Sequence, residues 1–114
     1  MITSIEEALR RIAYLDELQG KLAYDHFTTK QNLPYACYTF DFNTSGADDY
    51  NGVQWIDFRL ELYADPRNIP LERKILNTLD DVIIKSSCDY IESERMYVTT
   101  FRFRFPDKLT NKNP

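Results

Sequence analysis

Apolar residues recur along this chain at two spacings, and the switches between them outline the fold. Ser4 with Glu7 three residues later is a capping-box pattern, and Ile5, Leu9, Ile12 and Ala13 follow at helical spacing. A helix is expected over 4–18, closing at Gly20. Its polar side holds Glu6, Arg10 and Asp16, with Glu7 four residues ahead of Arg11 and so placed to pair with it. Leu22 to Phe27 reads as a short aromatic edge strand, followed by a polar loop over 28–32. From Pro34 to Asn43 the period is two. Ala36, Tyr38, Phe40 and Phe42 share one face and Tyr35, Cys37, Thr39 and Asp41 the other, and the second face is only half polar, which leaves room for partial burial on both sides.

A turn-rich stretch over 43–52 precedes a stricter alternation from Val53 to Tyr63. Ile56, Phe58, Leu60 and Leu62 face a core, while Asp57, Arg59 and Glu61 stand opposite beside Trp55 and Tyr63. Proline fits only the first turn of a helix, so the second helix begins at Asp65-Pro66 or at Asn68 with Pro70. Leu71, Ile75, Leu79 and Val82, with Leu76 beside them, give its apolar stripe; Glu72, Arg73, Lys74 and Asp80 are expected to face away. Val82 to Tyr90 and Met96 to Phe105 read as a hairpin, and in the second arm Tyr97, Thr99, Phe101, Phe103 and Phe105 alternate with Arg102 and Arg104. Outward arginines there protect an edge or contact a partner. The sum is an α+β fold: an antiparallel or mixed sheet of four to five strands with two helices on one face. The expected core is Ile56, Phe58, Leu60, Leu62, Leu71, Ile75, Leu79, Phe101 and Phe103.

At 114 residues the chain fits one domain, expected over 1–106 with a flexible polar tail at 107–114. A net charge of −4 argues against a nucleic-acid grip built on many phosphate contacts. Cys37 and Cys88 read as reduced thiols on strands, Cys37 the more buried. Apolar runs of a few residues cannot span a bilayer, and the chain is not expected to be exported by its own sequence.

Catalytic chemistry finds little support. His26 is the sole histidine; on a strand its neighbour Asp25 would point to the opposite face, so the ring is expected to be partly buried and structural. A cysteine nucleophile lacks an orienting third group. Glu92 and Glu94, two apart at the hairpin bend, are expected to pair with Arg95 rather than act as an acid–base couple. In the loop from Asp41 to Gly52 oxygens fall at calcium-loop places one, three, five and nine with Gly46 at the sixth. Gly52 stands where the closing glutamate belongs, so a solvated acidic loop is expected and no metal. No cofactor is expected.

Five segments taken in order carry a family resemblance: Leu22-Ala23-Tyr24-Asp25-His26-Phe27; Leu33-Pro34-Tyr35-Ala36-Cys37-Tyr38; Ala47-Asp48-Asp49; Leu60-Glu61-Leu62-Tyr63 with Leu71-Glu72; and Tyr90-Ile91-Glu92-Ser93-Glu94-Arg95-Met96-Tyr97. Over roughly residues 20–105 the chain resembles the small tail-completion or tail-terminator proteins of long-tailed bacteriophages and prophages of Gram-positive bacteria. It departs from them at Asp49, where relatives carry Asn, and at Pro70. The resemblance implies a hexameric ring that caps the tail tube, contacts the tube protein and the head connector, and lets DNA pass without gripping it. It implies a place in the virion tail or neck, reached from the host cytoplasm. Asp48, Asp49, Glu92, Glu94, Arg95, Arg102 and Arg104 are the candidate interface or lumen residues. Alternatives are a head-side neck adaptor or stopper, or a single-stranded nucleic-acid or small-ligand binder using Trp55, Tyr63, Tyr97 and Phe101 as an aromatic face.

Overall fold

The structure is a computed structural model that describes residues 2–43 and 54–107. Helix α1 spans Ile5–Ala13, with Ser4 as its N-cap: the Glu7 backbone N–H donates to Ser4 Oγ at 3.1 Å. The Glu7 carboxylate accepts from Arg11 at 2.9 Å, as the spacing predicts. The helix stops well short of residue 18. Leu15 turns extended and a short 3-10 turn follows over Asp16–Leu18. The reason is geometric: Leu18 lies six residues past Ile12, roughly 240° around a continuous helix, and only a break returns it to the core where it is fully buried.

The strands are β1 (Leu22–Tyr24), β2 (Tyr35–Asn43) and β3 (Gln54–Ala64), then, after helix α2 (Ile69–Thr78), β4 (Ile84–Ile91) and β5 (Met96–Asp107). They form one mixed sheet in the order β1-β2-β3-β5-β4, with β1 parallel to β2 and the other pairs antiparallel. With two helices this is an α+β fold. Expected β1 is cut to three residues because Asp25 takes a left-handed φ of 63° and ends the pairing. Helix α2 uses the later of its two candidate starts: Asn68 accepts from the Leu71 backbone N–H at 3.1 Å, and Pro70 sits in the first turn. Residues 82 and 83 precede β4 instead of opening it. Strand β5 reaches two residues beyond Phe105, so Asp107 belongs to the sheet and is buried rather than opening a tail.

One face of the sheet carries the core. Rows such as Phe40–Phe58–Phe103 and Phe42–Ile56–Phe105 run across neighbouring strands, and Phe58 stacks on Phe103 with centroids 4.9 Å apart. Ala8 and Ile12 of α1 and Leu71 and Ile75 of α2 belong to the same buried cluster, so both helices cover this face. All nine expected core residues are buried, joined by Ile2, Ala8, Ile12, Leu18, Ala36 and Phe105. Two helix positions differ from expectation. Leu76 is exposed, while Glu72 is buried at 7% exposure. A charge is tolerated there because Arg67 clasps the carboxylate with two hydrogen bonds of 2.9 Å and Thr99 Oγ1 of β5 donates a third at 2.8 Å.

Candidate functional site: the helix-free face

Among the described residues the opposite face has no helix over it. The loop over 25–34, which joins the parallel pair β1 and β2, crosses one end of it. There Phe27 meets Tyr35 edge-on at 5.5 Å and Tyr35 stacks on Tyr63 at 5.0 Å. Below them Cys37 is buried, and burial pushes its thiol pKa up, with Glu61 and Asp25 adding to the shift. A thiol held in that form is the reverse of an activated nucleophile. Tyr63 donates to Glu61 at 3.0 Å, and burial followed by that bond raises its pKa strongly. Asp25, His26, Cys37, Tyr63, Glu94 and Met96 are among the residues lining a hollow of about 890 Å³ here.

His26 corrects the sequence reading. Because Asp25 is in a left-handed turn and not in a strand, both side chains reach the same side, and His26 Nδ1 donates to Asp25 Oδ2 at 2.9 Å. The ring is 70% exposed instead of partly buried. Cys37 and Cys88 are free; their register rows put them on opposite faces, with β3 and β5 between their strands. Among the described residues no group of His, Cys, Asp or Glu could hold a metal ion, and no helix is long and apolar enough to cross a membrane.

Past this covered end the face is charged, with Arg59, Lys85, Arg102 and Arg104 exposed among the described residues. Register pairs Arg59 with Arg102 and Arg102 with Lys85, so three cations lie directly across three adjacent strands. Arg59 has a carboxylate, Glu61, only at 3.9 Å. In the next row Arg104 donates to Asp57 at 2.7 Å, and that bond lowers the Asp57 pKa. Ile83, 90% exposed, borders the same depression. Strand β5 lies between β3 and β4, and Arg102, paired on both sides, is interior to the sheet and protects no edge; Arg104 lies one residue past the end of the β4 pairing.

The expected site residues do not converge. Glu92, Glu94 and Arg95, with Ser93, form the exposed four-residue turn of the β4–β5 hairpin, where Arg95 has a left-handed φ of 54°. The expected ion pair of Arg95 with Glu92 or Glu94 is not formed among the described residues; the backbone bonds Glu94 N–H to Ile91 C=O and Arg95 N–H to Glu92 C=O hold the turn instead. Arg102 and Arg104 stand farther along β5 on the helix-free face. Asp48 and Asp49, and the calcium-like loop beyond Asn43, lie outside the described residues. The aromatic face of the binder alternative divides: Trp55 and Tyr63 are on the helix-free face, whereas Tyr97 and Phe101 are on the helix-covered one and Phe101 is fully buried. The sequence reading missed the cation row itself. Its signal was present in Lys85, Arg59 and Arg102, but only the register sets them side by side.

No family model matches the chain, and no curated protein matches it. Among solved structures, a chain of the virion of a native gene transfer agent particle has the same fold, with a TM-score of 0.56 over 90% of each chain at 16% identity. At that identity the likeness is one of fold.

Proposed function

We propose that the chain is a structural protein of a phage-like virion, acting as one domain that caps the tail tube. Copies form a ring, six if it follows the symmetry its sequence resemblance implies, that ends tube polymerisation and joins tail to head. The observation that carries this reading is the fold shared over 90% of both chains with a gene transfer agent virion component. The sequence resemblance to tail terminators, and a broad sheet face that no helix among the described residues covers, support it. Tube protein, head connector and further copies of the chain are the partners, in the virion neck after assembly in the host cytoplasm. DNA passes through without specific binding, in keeping with a net charge of −4. No enzymatic role is proposed. The division of Trp55 and Tyr63 from Tyr97 and Phe101 between two faces weighs against a nucleic-acid stacking platform.

Immunogold labelling of purified particles tests the assignment. Label at the head-proximal end of the tube on free tails is expected. Label on tailless heads alone indicates a head-side adaptor or stopper, and absence from the particle contradicts the reading.

A further inference from the structure

We infer that the cation row Arg59–Arg102–Lys85 receives the acidic hairpin turn Glu92–Glu94 of a second copy of the chain. This rests on the ring reading above and gives it a contact. Like charges placed directly opposite across strands repel, so a row of three has no value to the isolated sheet. An anion from outside relieves the repulsion. Neighbouring strands stand about 4.8 Å apart, so adjacent cations are spaced to meet two carboxylates that sit two residues apart in a tight turn. Glu92 and Glu94 are such a pair, exposed at the hairpin tip.

They cannot reach the row of their own molecule. Lys85 and Ile91 are six strand residues apart, roughly 20 Å, and the turn lies beyond Ile91. The two patches are therefore complementary, distinct and separated on one chain. That makes the contact heterologous, the type that generates rings when its rotation closes. A polyphosphate strand fits less well. Asp41 and Asp57 flank the row on one side and Glu61 on the other, so negative charge is welcome only over a short span. Ile83 beside Lys85 offers an apolar neighbour that a docked turn would cover.

Zero-length carbodiimide coupling joins a lysine to a carboxylate only on contact, so any Lys85–Glu92 or Lys85–Glu94 product must be intermolecular. Coupling the purified full chain at high concentration, followed by peptide mapping, is expected to give a ladder carrying these links. Arg102→Glu with Arg59→Glu should reduce the ladder at least tenfold, and so should Glu92→Lys with Glu94→Lys; circular dichroism reports that each variant is folded. Combining all four exchanges in one chain should restore the ladder. A ladder with links elsewhere, indifferent to these substitutions, overturns the contact while leaving a ring. The absence of any ladder, in solution and on isolated particles alike, overturns both. Retention of duplex DNA that depends on Arg102 overturns the contact in favour of a phosphate ligand.

Discussion

Glu72 shows how one side chain can reverse a pattern-based assignment. Burial alone would raise its pKa, but the hydrogen bonds from Arg67 and Thr99 and the guanidinium charge outweigh that and hold it below its ordinary 4.5. A depressed folded-state value means stability that is present above the unfolded pKa and lost as pH falls through the folded one. Glu72→Gln should therefore lower stability at pH 7 by about 1–3 kcal/mol, and the difference from wild type should shrink below pH 4.5. Urea unfolding of both proteins from pH 7 to pH 3 checks this; a constant difference contradicts it. At the same scale Leu60, fully buried between β2 and β5, should cost about 2–5 kcal/mol as Leu60→Ala. Leu60 was legible because strict alternation fixes which face is buried. Glu72 was not, because helical periodicity places a residue on a face without saying which polar groups of distant strands wait there.

Elements were legible where one period ran long and less so at their ends. Strands β2, β3 and β5 stood out as alternations, yet the partner order, with β5 between β3 and β4, follows from pairing across the chain that no local pattern encodes. That order removes Arg102 from an edge and lines up the cations. Arg102→Thr, which takes the middle charge out of the row, should leave stability unchanged or raise it by about 0.2–1 kcal/mol in thermal or urea unfolding. A marked loss would mean that the row supports the fold. The β4–β5 turn tests backbone geometry in the same way. With Arg95 at φ 54°, Arg95→Val should cost about 1–2 kcal/mol, because a β-branched side chain fits that conformation poorly, whereas Arg95→Gly should not. Equal effects from the two substitutions would contradict the left-handed turn.

On the scale of the whole molecule, the protein pairs one deeply buried sheet face with one that is open and charged. The sequence carried the α+β class and the buried face. It could not carry the composition of the open face, since rows such as Arg59–Arg102–Lys85 join residues far apart in the chain. A domain organised this way is suited to assembly by shape and charge, and the capping role proposed above predicts a specific defect on its loss: polymerisation and joining fail while DNA packaging proceeds. Electron microscopy of virions assembled with this protein present and with its coding sequence deleted tests that proposed role most directly. The account predicts filled heads beside tails of abnormal length or tails that have not joined. Deletion particles with joined tails of normal length would contradict it.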